Sequence, residues 1–371
     1  MKKIIRTILA LCLLAVSAIS LFACGDTSET GEKGLILKKY NGDDFWTVQS
    51  YVDDGETDLE IPVEKDGFPV VRIAAGAFEG SKLETIVVPS SIEEIGEGAF
   101  AKMPKLKEIT LPFVGKYFNA DAFENQTPDG YATPNGSDYS EVKAVGTERT
   151  LAHVFGDEVY DGGAKTEGSA KTYYVPTTLK TITVNPVKSY KLPMHAFNGL
   201  KVASEIVLNE NVKEIGVSAF ANVKLDKFEI PATVETLYAN AFEACSITDF
   251  SFAVNSIITK LPEKCFYNSQ LTKIALPASV EEIGEMCFAA TVTSDASSSL
   301  IKTIKLPANL NKIGYAAFKD CWELTSVDFS EVINKITVDH YVFLGCKKLT
   351  LNDAQKAMLK GSVDTLFGHQ A

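Results

Sequence analysis

A dipeptide ending in phenylalanine recurs at nearly constant spacing along most of this chain. This period constrains the fold more than any other feature. Seven copies are Ala-Phe, at Ala77-Phe78, Ala99-Phe100, Ala122-Phe123, Ala196-Phe197, Ala219-Phe220, Ala241-Phe242 and Ala317-Phe318. Three copies replace the alanine, namely Cys265-Phe266, Cys287-Phe288 and Val342-Phe343. Uninterrupted neighbours are 22, 23, 23, 22, 24 and 22 residues apart. Self-similarity at this length is typical of stacked supersecondary units, so the sequence predicts a repeat solenoid.

Each repeat contains two short apolar segments, which predict a mainly β architecture. The first is Leu-x-x-Ile-x-Leu-Pro, at 106–112 and 271–277, with other apolar residues in place of Ile or Leu at 83–89 and 225–231. Alternating apolar residues such as Ile109 and Leu111 place one strand face in the core, and proline ends the strand because it lacks an N–H. The second is Val-x-x-Ile-Gly, as in Val212 to Gly216, where we expect glycine to permit a turn. Each repeat alone leaves its apolar face exposed, so stacking on neighbours supplies the stability.

The C-terminal residues 349–371 depart from the period and predict a short helical cap with a tail. Asn352 is a favourable N-cap for a helix over Asp353 to Lys360, and Gly361 is a favourable stop. We expect Ala354, Ala357 and Met358 to cover the core of the last repeat, and Ser362 to Ala371 to fray.

The first residues predict export. Lys2, Lys3 and Arg6 precede an apolar run from Ile8 to Leu21, as in a signal peptide over residues 1–23. Leu21-Phe22-Ala23-Cys24-Gly25 resembles the lipobox of bacterial lipoproteins, although Phe22 is unusual there. That resemblance implies that Cys24 is the lipidated first residue of the mature chain, followed by a polar tether over 24–34. The alternative is an ordinary cleaved secretory signal.

The charge balance excludes some partners. Removing residues 1–23 deletes three positive charges and no negative ones, which changes the net charge from −12 to −15. An acidic protein repels nucleic acid and anionic headgroups. We therefore expect no nucleic-acid role, and membrane contact through the lipid anchor alone.

Apart from Cys12 in the predicted signal peptide and Cys24, the chain contains five cysteines, and their positions follow the repeat. Cys245, Cys321 and Cys346 lie three residues after a repeat phenylalanine, whereas Cys265 and Cys287 precede one. An odd number without close pairing does not indicate a disulfide framework. We predict small buried side chains with free thiols.

The period, the Ile-Gly-x-x-Ala-Phe core and the trailing cysteine resemble the BspA-type leucine-rich repeats of bacterial surface proteins. The resemblance covers about residues 35–350. Trp46-Thr47-Val48, Leu59 to Pro62 and Gly67 to Ile73 resemble the hairpin and first unit that begin such arrays. The resemblance implies an N-terminal hairpin cap with the first repeats over 35–123, further repeats over 179–348, and adhesion or partner binding as the function.

Residues 124–178 interrupt the array. Phe123 and Phe197 are 74 residues apart, and the intervening chain contains turn-rich segments such as Thr127-Pro128-Asp129-Gly130. Inserts from a solenoid lie on one face, often the binding face. The alternative is a structural subdomain, which Phe155-Gly156 and Tyr174-Val175-Pro176 favour because related arrays carry similar residues here.

No motif for catalysis, a cofactor or a metal is apparent. The sequence lacks Gly-x-Ser-x-Gly, a phosphate-binding Gly-Lys-Ser/Thr and His-Glu-x-x-His. His195 and His340 occupy repeat positions, and we expect His153, in the insert, to be structural as well. A hydrolase that uses the insert as its active site is therefore disfavoured, and we predict a non-enzyme without cofactors.

The sequence thus predicts a monomeric, lipid-anchored protein on the outer face of a bacterial cell that binds a host protein, a glycan or another cell. A scaffold for components of its own envelope is the alternative. The outward positions of the first strands hold mixed charges and no aromatic side chains, whereas binding energy usually comes from aromatic and arginine residues. We therefore expect the ligand to contact the tyrosines of the insert, which are Tyr131, Tyr139, Tyr160, Tyr173 and Tyr174.

Overall fold

Short parallel strands stacked in register form most of the described structure. The computed structural model describes residues 33–118, 147–167, 171–293, 297–361 and 366–368. The predicted signal peptide, the predicted lipidation site Cys24 and most of the predicted tether lie outside these ranges. The predicted mainly β repeat solenoid is confirmed.

Eight strands precede the insert. They are β1 (Gly34–Lys38), β2 (Trp46–Val52), β3 (Asp58–Glu60), β4 (Glu64–Lys65), β5 (Phe68–Ile73), β6 (Thr85–Val87), β7 (Glu94–Ile95) and β8 (Glu108–Leu111). Strands β1 and β2 pair antiparallel, which confirms the hairpin at the N-terminus. Strand β1 includes Gly34, the last residue of the predicted tether.

The described part of the insert contains a 3-10 turn (Thr147–Arg149), helix α1 (Leu151–Phe155), and an antiparallel hairpin of β9 (Gly163–Glu167) and β10 (Thr172–Pro176). The later strands are β11 (Thr181–Val184), β12 (Tyr190–Leu192), β13 (Glu205–Leu208), β14 (Val212–Ile215), β15 (Lys224–Ile230), β16 (Thr236–Leu237), β17 (Ser246–Phe252), β18 (Lys260–Leu261), β19 (Glu282–Ile283), β20 (Thr303–Lys305), β21 (Lys312–Ile313), β22 (Ser326–Asp328), β23 (Ile336–Val338) and β24 (Leu359–Lys360). Helix α2 (Asp353–Ala357) precedes β24.

The two apolar segments of each repeat form two sets of sheets. First segments build a seven-stranded parallel sheet in the order β17-β15-β13-β11-β8-β6-β3, and later a two-stranded sheet of β20 and β22. Second segments build the sheets β12-β14-β16 and β18-β19-β21-β23-β24. In β8 the side chains of Ile109 and Leu111 are buried, as the alternation predicts.

One predicted first segment does not form a full strand. Residues 271–277 make an isolated bridge between Ala275 and Lys305, although Leu271 and Ile274 remain buried. Apolar periodicity therefore identified the core residues here, while the ladder hydrogen bonds of a strand do not form over the whole segment.

The repeat phenylalanines form two runs of stacked rings. Neighbouring rings have centroids 5.1 Å apart for Phe78 and Phe100, 5.3 Å for Phe266 and Phe288, and 5.5 Å for Phe318 and Phe343. Each phenylalanine N–H donates to a carbonyl of the next repeat, as from Phe220 to Ala241 at 2.8 Å. Burial and backbone pairing together explain why this dipeptide recurs.

The turns that present these rings use left-handed backbone in each described repeat that has the Ala-Phe, Cys-Phe or Val-Phe dipeptide. The residue before each Ala-Phe or Cys-Phe has a positive φ in the described repeats, which is tolerated at Gly76 and Gly98. Elsewhere the position is occupied by His195, Ser218, Asn240, Lys264, Met286, Ala316 and Tyr341, with φ between 48° and 59° for the first six and 62° for Tyr341. The stacked arrangement therefore holds side chains in a conformation that costs about 1 kcal/mol or more each.

The glycine of the second segment has a different role from the predicted one. Gly216, Gly284 and Gly314 do not have a positive φ, so the turn does not require them. A Cβ on Gly216 would lie 2.6 Å from the carbonyl oxygen of Leu192, and one on Gly284 would lie 2.7 Å from the carbonyl carbon of Pro262. Glycine is needed because the backbone of the preceding repeat passes too close for a side chain.

The solenoid continues across the insert. Strand β11 pairs with β8 in register, Ile182 opposite Ile109. The turns that contain the repeat phenylalanines are also connected across the insert. The N–H of Phe100 donates to the carbonyl oxygen of Val154, and the N–H of Leu151 donates to the carbonyl oxygen of Ala196. Helix α1 thus fills one repeat position between Phe100 and Phe197. The predicted repeat pair Ala122-Phe123 lies outside the described residues.

The C-terminal cap differs from the prediction. Asn352 caps α2 through a capping box with Gln355, as expected, but Ala354 and Ala357 are exposed and no residue of α2 is buried. The helix ends at Ala357 and not before Gly361, because the chain turns into β24, which pairs with β23. Leu359 and Leu366 are buried instead. The N–H of Phe343 donates to the carbonyl oxygen of Leu366, and the ring of Phe367 packs against that of Phe343 with centroids 5.9 Å apart. Part of the tail that was predicted to fray therefore acts as the last turn.

Candidate ligand site

The predicted ligand-contacting tyrosines do not form one surface. Tyr131 and Tyr139 lie outside the described residues, as does Cys24. Tyr160 precedes the β9–β10 hairpin, while Tyr173 and Tyr174 are adjacent in β10 and therefore point to opposite faces.

Tyr173 is a core residue, which corrects its assignment to a ligand surface. Its side chain is 2% exposed, and its hydroxyl donates to the carbonyl oxygen of Asn198 at 3.3 Å. Burial raises the pKa of this phenol. A side chain in this position attaches the hairpin to the solenoid and cannot reach a partner on the folded surface.

Tyr160 and Tyr174 are half-buried. Burial raises the pKa of Tyr160 to about 12. The ring of Tyr160 packs against Gly163, where an added Cβ would lie only 2.7 Å from the ring. Ligand contact by these two tyrosines stays a prediction of the sequence, and the cleft described below is the competing site.

Two lysines attach the insert to the preceding repeat. Lys102 pairs with Glu79 of that repeat, 2.8 Å away, and with Glu158 of the insert. These hydrogen bonds, the one to Glu158 first, raise the pKa of Lys102. Lys171 pairs with Glu97 at 3.0 Å and Asp157 at 3.3 Å. These contacts favour the structural interpretation of the described part of the insert.

His153 is likewise structural. It lies in α1, whose five residues are all buried, and its Nε2 is 2.9 Å from the carbonyl oxygen of Ile95. Burial lowers the pKa of the imidazole. The ring therefore joins the insert to the second-segment strand of the neighbouring repeat, in its neutral form.

The five cysteines have the environment that their repeat positions predict. Cys245, Cys265, Cys287, Cys321 and Cys346 are buried and free. Burial raises the pKa of the thiols of Cys245 and Cys321 to about 12. The thiol of Cys321 donates to the carbonyl oxygen of Phe288, and that of Cys346 to Phe318. Such thiols are poor nucleophiles and satisfied core groups.

A cleft near the N-terminal end of the array is the best candidate for a ligand site. Its volume is about 520 Å³, within the range of roughly 300–1,000 Å³ typical of ligand pockets. We call it the N-terminal cleft; its lining residues are Asp44, Phe45, Pro69, Val71, Arg72, Glu93, Glu94, Tyr117 and Phe118. They come from the loop after β1, from β5, from β7 and its preceding residue, and from the segment after β8.

Backbone pairing brings these residues together. Strand β5 lies between β2 and β7 in one sheet. Tyr117 forms an antiparallel bridge with Glu94, and the N–H of Phe118 donates to the carbonyl oxygen of Glu93 at 3.2 Å. The aromatic wall is thus fixed to the same short sheet as the carboxylates.

The cleft has apolar walls and charged groups. The Tyr117 side chain is 48% exposed, while Phe118 packs on the core and stacks with Tyr190. The Nε of Arg72 is 2.9 Å from Glu94 Oε2, and its guanidinium lies 4.7 Å from the centroid of the Phe45 ring. Concave shape, exposed aromatic surface and a few oriented polar groups are the usual properties of a binding site.

The cleft was not predicted from the sequence. The predicted ligand contacts lie in the insert, whereas the cleft is built by the hairpin loop and by Tyr117-Phe118. One signal of it is present in the sequence, since Lys116-Tyr117-Phe118 stands where a Val-x-x-Ile-Gly segment is expected. A break in a repeat that introduces two aromatic residues therefore indicates a candidate contact site, as a long insert does.

The described residues contain neither a candidate metal site nor a candidate membrane span. Within these ranges, no group of three or more His, Cys, Asp or Glu side chains is placed to hold a metal ion. No helix in the described part of the chain has the length and apolar character needed to cross a bilayer.

Several solved structures are similar to this chain at low sequence identity. Among solved structures, a leucine-rich repeat protein from Bacteroides ovatus is 17% identical, with 87% of this chain and 70% of that chain covered and a TM-score of 0.42. The pneumococcal vaccine antigen PcpA is 15% identical over 86% of this chain and 81% of its own, with a TM-score of 0.34. A leucine rich cell surface protein from Faecalibacterium prausnitzii is 16% identical over 96% and 100%, with a TM-score of 0.24.

A comparison with curated proteins found no match. The family model for the BspA type leucine rich repeat region matches in six copies, over residues 67–135, 169–295 and 294–360. The matched residues make up more than half of the chain and include the phenylalanine turns described above. The chain therefore belongs to the BspA-type leucine-rich-repeat family.

Proposed function

We propose that this protein is a non-catalytic binding module of the bacterial cell surface, and that its ligand is a host protein, a glycan or another cell. The observation that carries the proposal is the N-terminal cleft, where the exposed ring of Tyr117 lies beside charged groups on a rigid sheet. Members of a repeat family commonly share a fold while binding different ligands. The proposal therefore rests on the cleft for binding and on the family for architecture.

Display at the surface is the second part of the proposal. The segment Leu21 to Gly25 resembles a lipobox, and the BspA-type repeats to which this chain belongs are surface-associated. Lipid on Cys24 supplies membrane affinity of about 0.8 kcal/mol per buried methylene. Fractionation of cells that express Cys24→Ala tests this part: the variant is released or stays unprocessed. A processed, membrane-bound Cys24→Ala chain contradicts lipid anchoring.

Binding is tested with the full chain carrying Cys24→Ala, immobilised and exposed to purified matrix proteins, polysaccharides and an extract of its own cell envelope. We expect retention of a matrix protein or polysaccharide, weakened by Tyr117→Ser at unchanged melting temperature. Retention of envelope components alone supports the scaffold alternative. Absence of retention in all three arms contradicts a binding function.

A further inference from the structure

The charges of the N-terminal cleft do not balance. Asp44, Glu93 and Glu94 contribute three carboxylates, against the single guanidinium of Arg72. Arg72 is already occupied, since it pairs with Glu94 and lies over the ring of Phe45. Asp44 and Glu93 are exposed and make no ion pair with any described residue. The cleft therefore presents two negative charges without an ion-pair partner in the described part of the chain, beside an internal ion pair.

The walls of the cleft accommodate an apolar stem. Phe45, Pro69, Val71 and Phe118 line it together with Tyr117. Lysine and arginine side chains bury their methylenes along apolar surface while the charged end stays near water or a carboxylate. A cavity of about 520 Å³ has room for one such side chain and the backbone on either side of it.

Cations already lie on aromatic rings in this part of the molecule. Lys39 lies over Phe68, Lys65 over Trp46 and Lys116 over Tyr117, with 4.6 Å from Lys65 Nζ to the Trp46 centroid and 4.8 Å from Lys116 Nζ to the Tyr117 centroid. Aromatic faces attract cations through their quadrupole. These ring faces are covered by the protein's own lysines, so the groups left for a ligand cation are the carboxylates of Asp44 and Glu93, which make no ion pair within the described residues.

The charge of the whole protein acts in the same direction. A net charge of −12 raises the local concentration of basic partners and their association rate, and repels anionic ones. A neutral oligosaccharide gains nothing from this field.

We propose that the N-terminal cleft binds a lysine or arginine side chain of an extended polypeptide partner. Asp44 and Glu93 accept hydrogen bonds from its cationic group, and the apolar walls cover its stem. This inference rests on the proposed binding function and specifies the chemistry of its partner.

The test uses two synthetic heptapeptides, Gly-Ser-Lys-Ser-Arg-Ser-Gly and the same peptide with glutamine in place of lysine and arginine, and maltoheptaose as a neutral glycan. Binding to the full chain carrying Cys24→Ala is measured by calorimetry at low and high salt. We expect the basic peptide to bind at least about tenfold more tightly than the glutamine peptide, with a difference that shrinks as salt increases.

Matched variants separate the cleft from the overall charge. Asp44→Asn with Glu93→Gln is compared with Asp249→Asn and Glu229→Gln, which remove the same charge from the outward face of β17 and β15. Melting temperatures confirm that both double variants are folded. The first should lose the preference for the basic peptide, and the second should keep it.

Three results overturn the inference. These are equal binding of the two peptides, equal losses in the two double variants, and tighter binding of maltoheptaose than of the basic peptide. If maltoheptaose binds more tightly and Tyr117→Ser weakens that binding, the proposed binding function remains supported although this inference fails. Failure of both proposals requires that these probes and the retention panel all give no binding.

Discussion

The rings of Phe242 and Phe266, one repeat apart, have centroids 5.4 Å from each other and planes only 11° from parallel. The N–H of Phe242 also donates to the carbonyl oxygen of Cys265 at 2.8 Å. Ring packing and backbone pairing therefore connect the same two repeats. The recurring dipeptide in the sequence produces this connection in one repeat after another.

Removing an inner ring should cost more than removing a terminal one. Phe242→Ala should lower the free energy of unfolding by about 3–5 kcal/mol, since the ring packs on neighbours in both directions. Phe367→Ala, whose ring stacks on Phe343 at the end of the column, should cost clearly less. Urea unfolding of both variants checks this, and equal losses would contradict a nearest-neighbour array.

A second left-handed position lies two residues after the repeat phenylalanine, as at Gly80, Ala244 and Asn268, and glycine there should have the opposite effect on stability from glycine at a neighbouring position. Ala244 has a φ of 50°, so Ala244→Gly relieves strain that exceeds the added chain entropy and should stabilise by about 0.5–1 kcal/mol. Ala221, which follows Phe220 and is not among the positive-φ residues, provides the control: Ala221→Gly should destabilise by a similar amount. Thermal unfolding decides, and the same sign for both variants would refute the strain argument.

Stability should fall in mild acid because of His195. Burial lowers the pKa of this imidazole to about 4, whereas it is about 6.5 in the unfolded chain. The unfolded state therefore takes up a proton first, and stability decreases as the pH falls from about 6.5 to about 4. His195→Asn removes the titration and keeps a residue that tolerates positive φ, as Asn240 does at the same repeat position.

The acid response of His195→Asn should be weaker in this interval when unfolding is followed against pH. Some loss should remain, because burial also lowers the pKa of His153. An unchanged pH profile would show that His195 does not carry the effect.

Thiol reactivity should depend on unfolding. The five buried cysteines have raised pKa values and should react slowly with a disulfide reagent at pH 8. After denaturation without reductant, five thiols besides Cys24 should titrate. A smaller number would indicate disulfides and would contradict the role of these residues as core side chains.

Repeat position predicted the core well because one physical requirement recurs. Phe266 and Cys265 are buried for the same reason as Phe220 and Ala219, so a single pattern identifies all four. The role of Gly216 could not be predicted in this way, because its constraint comes from the backbone of another repeat and is not a local property of the turn.

The ends of the array and the insert were harder to predict. The capping box at Asn352 allows the start of α2 to be predicted from the sequence. The residues that cover the last repeat could not be predicted in this way, because they depend on the pairing of β24 with β23 after the helix. Tyr117 and Arg72 are far apart in sequence and meet only when the strands stack. The N-terminal cleft is therefore a product of the tertiary fold, and no local pattern contains it.

The central claim is that binding occurs at the N-terminal cleft and not at the tyrosines of the insert. The most direct measurement uses the matrix protein or polysaccharide that the immobilised Cys24→Ala chain retains. Its retention is compared between chains that carry Tyr117→Ser and chains that carry Tyr174→Ser, and the melting temperature of each variant is measured in parallel. The account predicts lost retention for Tyr117→Ser and unchanged retention for Tyr174→Ser, both at wild-type stability. Retained binding by Tyr117→Ser together with lost binding by a stably folded Tyr174→Ser would contradict it and place the ligand on the insert.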